Sequence, residues 1–263
     1  MKLSVWERSL VQQKEDECVW ELFHENSKLS RFQKARSDEE VLQRMNDLHE
    51  SLPFEGYPII PLPDSLGSLS APLGDTIVKR SSALSFETTP ISLNQLAVLL
   101  YHSYGVTRDN TENSMPRPFR TVPSAGAMYP LEIFFHTAHV QGIPPGLYHY
   151  NPSKNCLRLL REGEETEKLS SGFINPVLCE SSSIQIFLTA MFERTTWKYG
   201  ERGYRFVYLE AGHVAQNLNL VATSLGLGCL NVGGFFDRDI DKYLGIDGVT
   251  HSTIYVALIG KSV

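Results

Sequence analysis

From Tyr204 to Leu225 the sequence sets apolar residues on nearly every side of one helix, and Gly226 and Gly228 end it. A helix that is apolar all round has to be buried, in a large core or against a second subunit. The remaining pattern supplies elements to bury it. Ser92 reads as a helix N-cap with Gln95, three residues on, as its capping-box partner. Leu93, Leu96, Ala97, Leu100 and Tyr104 then share one face, and Gly105 closes the helix. Residues 131–140, 146–150, 156–160, 184–191 and 252–259 read as strands, the first two joined by a turn from Gly142 to Pro145. Helices mixed irregularly with strands, without strict alternation, give an α+β fold.

The N-terminal third reads differently. Residues 4–50 are charge-rich and helical in pattern, whereas residues 53–76 contain Pro53, Pro58, Pro61, Pro63 and Pro72. So many prolines predict a linker or wrapping arm without regular structure. The expected organisation is a helical segment over 1–52, an arm over 53–76 and a main domain over 77–263. Of the 263 residues, 42% are apolar and 21% charged, the balance of a globular protein with ample core. The net charge of −6 argues against broad binding to nucleic acid. No run approaches the ~18 consecutive apolar residues of a membrane span. Glu7 and Arg8 fall where a signal peptide would carry its apolar segment, so the cytoplasm is the expected location. Cys18, Cys156, Cys179 and Cys229 are scattered, with no Cys-x-x-Cys pair to suggest zinc or thiol redox chemistry.

The segment Arg120-Thr-Val-Pro-Ser-Ala-Gly-Ala-Met-Tyr-Pro130 stands out as a candidate binding loop. Pro123 and Pro130 stiffen its two ends, and Gly126 among small side chains lets backbone approach a flat ligand closely. A plain strand-entry turn would have the same composition. Lys79-Arg80-Ser81-Ser82 offers cations and hydroxyls suited to a phosphate monoester, or equally a solvated basic turn. Arg194, Lys198, Tyr199, Arg202, Tyr204 and Arg205 crowd one segment. A cationic setting favours lysine or tyrosine as a base, although pairing with Glu193 and Glu201 would make the same run a basic loop. Glu210-x-x-His213 has the spacing of half a di-iron site, but only one copy is present and no metal is expected. His213, Gln216 and Asn217 are better read as hydrogen-bonding groups at a helix–helix or dimer contact, and His24 and Glu25 are similarly ambiguous. Gly226-Leu-Gly228 follows its helix and is a stop, not a dinucleotide loop.

Several of these segments, taken in order, resemble the SagB-type dehydrogenases, the thiazole- and oxazole-forming branch of the FMN-dependent nitroreductase-like flavoproteins. Residues 123–130 are similar to that family's Pro-Ser-Ala-Gly-Ala-x-Tyr-Pro motif, and Gly146-Leu-Tyr-His-Tyr-Asn-Pro152 to its Gly-Leu-Tyr-x-Tyr-x-Pro segment. Residues 198–205, 209–218 and 23–28 resemble three further signatures. The resemblance implies a nitroreductase-like fold with a mixed, mainly antiparallel sheet flanked by helices and a small N-terminal helical segment. It implies an FMN-dependent azoline dehydrogenase that matures a ribosomally made peptide. It also implies a homodimer and a partnership with a cyclodehydratase complex. By the same resemblance Lys198 and Tyr199 form the catalytic base and Trp197 borders the substrate channel. Arg120, Pro123, Ser124, Ala125, Gly126 and Tyr129 hold the flavin ring, with the backbone of Gly233 and Gly234 facing it. Arg80, Ser82 and Lys261 take the phosphate. Leu84 stands where the family has a further arginine, which leaves that cation to be replaced. Two other readings remain open: an NAD(P)H-dependent nitroreductase-like enzyme, and a flavin-binding scaffold without catalysis of its own.

Overall fold

Strands that are covered on both faces carry near-continuous apolar runs, and the predicted strands have that character. A computed structural model describes residues 19–32, 36–63, 65–110 and 117–262 of the chain. Its eight-stranded sheet runs in the order Ile59–Pro61, Cys156–Glu162, Gly146–Asn151, Leu131–Thr137, Ile184–Met191, His251–Ser262 and Gly228–Val232. Phe86–Glu87 adds to the end of His251–Ser262, and the pairings are antiparallel throughout.

The central strand Leu131–Thr137 is buried at every position, and its side chains alternate between two cores. Leu131, Ile133 and Phe135 meet Leu96, Leu99 and Leu100 of the helix Leu93–Tyr104 and Val207, Val214 and Leu218 of the long helix Glu201–Ser224. Phe134 points the other way, into Leu147, Phe187, Leu169, Ile240 and Leu244. Phe135 stacks on Tyr148 with centroids 5.0 Å apart. Burying each such side chain contributes about 1.5–3 kcal/mol, so the two cores fix the strand from both sides.

The capping box of the helix Leu93–Tyr104 forms as its sequence predicts: Ser92 Oγ accepts from Gln95 N at 3.1 Å and Gln95 Oε1 accepts from Ser92 N at 3.0 Å. Gly105 ends it for a steric reason, since a Cβ there would lie 2.5 Å from Tyr101 O. The long helix begins at Glu201, three residues earlier than its apolar pattern suggests. It is not enclosed all round within one chain: Tyr208, Leu209, Gly212, His213 and Gln216 form an exposed stripe, with Leu209 61% accessible.

Two sequence expectations need correction. The proline-rich arm does contain regular structure, because Pro61 ends an edge strand, where its missing N–H costs no ladder bond, and Pro72 precedes the helix Leu73–Lys79. The N-terminal segment is not one helical stretch: it forms Val19–Asn26 and Asp38–Asp47, the second opened by a capping box from Ser37 to Glu40. The helical expectation for residues 4–18 lies outside the described residues.

Candidate active site

The loop before the central strand is a rigid shelf. Ser124 Oγ accepts from Tyr129 N at 2.9 Å, Ala127 N donates to Ser124 O at 3.1 Å, and Tyr129 Oη accepts from Arg120 N at 3.0 Å. These bonds hold Gly126, Ala127 and Tyr129 at φ of 62°, 53° and 47°. For the two non-glycine residues that conformation costs of the order of 1–3 kcal/mol each and persists only where surroundings over-determine it. The Arg120 guanidinium lies 4.4 Å from the Tyr104 ring centroid and 4.7 Å from that of Tyr129. Its Nη2 donates to Glu50 O at 2.6 Å, while Nη1 is buried without a partner. In front of the shelf opens a cleft of about 920 Å³, lined by Arg108, Phe119, Arg120, Pro123, Ser124, Gly126 and Tyr129 among others. That volume falls within the ~300–1,000 Å³ range of cofactor sites.

The lysine–tyrosine pair reaches this shelf from a distant part of the chain. Both residues end the short helix Glu193–Tyr199, and Gly200, at φ 56°, turns the chain into the long helix. A Cβ built on Gly126 would meet Tyr199 Oη at 2.5 Å and Lys198 Nζ at 2.9 Å, so both polar tips touch the shelf where it lacks a side chain. Neither Glu193 nor Glu201 forms an ion pair with Lys198 among the described residues. Tyr199 packs edge-on against Phe206. Trp197 packs with Val41 and Met45 of the helix Asp38–Asp47, and Arg36 Nε donates to Trp197 O at 2.5 Å. The N-terminal segment thus backs the catalytic candidates.

Two buried carboxylates behind the shelf had no assigned role in the sequence. Glu132, directly after Leu131, accepts from Arg194 Nη2 at 2.7 Å, His149 Nε2 at 2.6 Å, Ser51 Oγ at 3.0 Å and Leu52 N at 2.9 Å. Burial by itself would raise its pKa, but the Arg194 charge and the His149 hydrogen bond outweigh it and hold the carboxyl well below its usual range. Arg194 also donates from Nη1 to Tyr129 O at 3.3 Å, joining the helix of Lys198 to the shelf. Glu210 of the long helix accepts from Tyr104 Oη at 2.8 Å and from the Ser124 hydroxyl. Burial pushes this carboxyl up to about 7, with those two hydrogen bonds and the charges of Arg120 and Arg194 offsetting part of the rise. The sequence held one clue to both: each is an acid inside an apolar run.

The phosphate candidates gather elsewhere. Ser82 bridges Cys229, and Ala83 N donates to Cys229 O at 3.0 Å, which sets Arg80 beside the strand Gly228–Val232. Arg80 forms no ion pair among the described residues. Lys261 is already paired, with Glu87 at 2.8 Å. Leu84 is 82% exposed. Gly233 faces open space and Gly234 abuts Ile174. The lining of the cleft includes none of Arg80, Ser82, Gly233, Gly234 and Lys261, so one chain presents a ring shelf and a phosphate corner as separate places.

His213 and Gln216 are exposed on the long helix and not interior as the sequence suggested, while Asn217 donates to His102 O at 3.4 Å. His24 O accepts from Arg205 Nη2 at 2.6 Å, and Glu25 pairs with Lys28. Among the described residues no cluster of His, Cys, Asp and Glu is arranged to hold a metal, and no helix is long and apolar enough to cross a membrane.

Comparison with known proteins agrees with this geometry. The nitroreductase family model matches residues 77–261. A Methanocaldococcus jannaschii protein provisionally named a nitroreductase is 40% identical over 174 residues, covering 66% of this chain and 84% of that protein. The microcin B17-processing protein McbC of Escherichia coli is 28% identical over 196 residues, covering 68% of this chain and 66% of McbC. The E. coli microcin synthetase McbBCD complex with truncated pro-MccB17 contains a chain of the same fold, at TM-score 0.62 and 20% identity, covering 100% of this chain and 98% of that one. A Desulfovibrio desulfuricans structure in complex with FMN has TM-score 0.51 at 15% identity, covering 73% of this chain and 87% of its own.

Proposed function

This chain belongs to the nitroreductase family of oxidoreductases, and from that premise we propose that it is an FMN-dependent dehydrogenase that oxidises azoline rings in a ribosomally made peptide to azoles. The observation that carries this reading is the convergence of Lys198 Nζ and Tyr199 Oη on Gly126 at the face of the proline-bounded shelf. Similarity to McbC, which is named for processing a microcin, supports the peptide substrate.

The residues present fit a flavin. The shelf offers bare backbone at Gly126, a cleft of suitable volume and the unpartnered Nη1 of Arg120. Pro123, Ser124, Ala125, Gly126 and Tyr129 would hold the ring, with Gly233 and Gly234 approaching it by backbone. Arg80, Ser82 and Lys261 would hold the phosphate. When bound, the flavin supplies a two-electron acceptor that no amino-acid side chain provides.

Azoline oxidation removes a hydride and a proton from adjacent ring carbons. The chain's own task is the proton, which the Lys198–Tyr199 couple takes up at the shelf face. Because the shelf and the phosphate corner are separate on one chain, we assign the working unit as a homodimer. The exposed apolar residues Tyr208 and Leu209, with Leu73, Ile77 and Val78 of the neighbouring helix, support that assembly. Residues 77–263 are assigned as the flavin domain, and a cyclodehydratase is the expected complex partner.

A second reading, an NAD(P)H-dependent nitroreductase, is favoured by the 40% identity to the Methanocaldococcus protein. Anaerobic mixing distinguishes the two. Bleaching of the flavin band by an azoline peptide and not by NADPH is the expected result; the reverse pattern replaces this reading with the second. Changing Lys198 and Tyr199 together to Ala should abolish azole formation while the protein still binds FMN. An unchanged azole yield would instead leave the chain a non-catalytic flavin scaffold.

A further inference from the structure

The shelf is strained, and one of its anchors depends on a proton. Ser124 Oγ receives the Tyr129 N–H, so the hydroxyl hydrogen of Ser124 is left to donate, and its acceptor is Glu210. The second donor to Glu210 is Tyr104 Oη. A carboxylate only accepts and satisfies both hydroxyls; a carboxylic acid brings a hydrogen of its own into a site whose two neighbours are already donors. One of the three hydrogens then has no acceptor, and the contact nearest the strained backbone is the Ser124 hydroxyl. We propose that Glu210 is a positioning residue for the flavin shelf: its carboxylate holds Ser124, and through Ser124 the backbone of Tyr129, and proton uptake releases them.

The proposal rests on the FMN reading for its consequence but not for its geometry. The charged and titratable groups facing Glu210 come from four elements: Tyr104 from the helix Leu93–Tyr104, Arg120 from the strand before the shelf, Tyr129 from the shelf and Arg194 from the helix Glu193–Tyr199. Burial raises the pKa of Tyr104 and Tyr129, so both stay protonated, and the two arginines contribute positive charge. Glu210 is the member of this set that changes charge near neutrality.

The test titrates FMN binding, read by flavin fluorescence, across pH for the wild type, Glu210→Gln and Tyr104→Phe. The flavin phosphate titrates alike in all three, so ratios between proteins report the shelf. A group titrating at about 7 that must be ionised gives affinity about tenfold weaker at pH ~6 than at pH ~8. The expected result is that this tenfold component is present in the wild type and missing in Glu210→Gln. In Tyr104→Phe its midpoint should move to higher pH, because the carboxylate has lost a donor. Amide exchange at Ala127 and Tyr129 in the FMN-free protein, corrected for intrinsic rates, should quicken below the same midpoint in the wild type only. A Glu210→Gln protein with the wild-type pH slope, or exchange that ignores pH in the wild type, overturns the proposal. If Glu210→Gln does not fold, an unmoved midpoint in Tyr104→Phe overturns it instead. A wild type that binds no FMN but shows the exchange pattern refutes the flavin reading and leaves Glu210 in its role.

Discussion

Glu132 and Glu210 lie on opposite sides of one shelf and are almost equally buried, at 1% and 3% exposure, yet their chemistry diverges. Glu132 meets a guanidinium, an imidazole and a backbone N–H, and stays ionised. Glu210 meets two hydroxyls, and its proton is held up to about 7. Depth does not decide ionisation here; the charge of the nearest partner does. The same contrast separates a clamp from a sensor. Glu132 ties the N-terminal arm, the central strand and the helix of Lys198 into one rigid unit, whereas Glu210 holds the shelf by bonds that a single proton disturbs.

The largest expected effect comes from breaking the clamp. Arg194→Met leaves Glu132 as a buried charge without its guanidinium and should cost about 3–5 kcal/mol in urea unfolding at neutral pH. A loss below about 1 kcal/mol would mean that His149 and the backbone suffice, and that the contrast with Glu210 is not one of charge.

The next effect is one of sign. Glu210 has a folded-state pKa above its unfolded value, so its contribution to stability is full below about 4.5 and is lost as pH rises through about 7. That loss amounts to about 3 kcal/mol, and Glu210→Gln should remove it from the wild-type pH–stability curve. Glu132 has a lowered folded-state pKa, so its contribution is present above about 4.5 and lost as pH falls through the folded value. Glu132→Gln should therefore destabilise most at neutral pH, the opposite slope. Parallel slopes in the two variants would erase the distinction.

Gly126→Ala probes the shelf face without touching either carboxylate. Its Cβ would have to displace Tyr199 Oη and Lys198 Nζ, which are ends of flexible side chains, so the protein should fold. A displacement of this size should lower turnover by about 10²-fold. The smallest effect is expected at Lys261→Ala. Its pair with Glu87 is exposed, so the thermal midpoint should not move, and FMN affinity should fall by a factor of about five at most.

Much of the fold was legible along the chain. The capping box at Ser92 and Gln95, the central strands and the stop at Gly226 depend on neighbouring residues, and local sequence encodes them directly. The N-terminal third was less legible: Ile59–Pro61 is a strand only because Cys156–Arg158 offers it an edge, and no local pattern records a partner about a hundred residues away. The long helix was misjudged for a related reason, since apolar periodicity says that a face will be covered but not whether by this chain.

Sequence by itself determined the ingredients of the site: a proline-bounded loop with a glycine at its centre, a lysine next to a tyrosine, and a basic turn with serines. Tertiary structure alone decided their arrangement, bringing Lys198 and Tyr199 onto Gly126 and leaving Arg80 and Ser82 beside another strand. It also decided which of two buried acids keeps its charge. Ionisation depends on groups within a few ångströms in space, and Arg194 and His149 reach Glu132 only through the folded sheet and helix, so no reading along the chain could assign it.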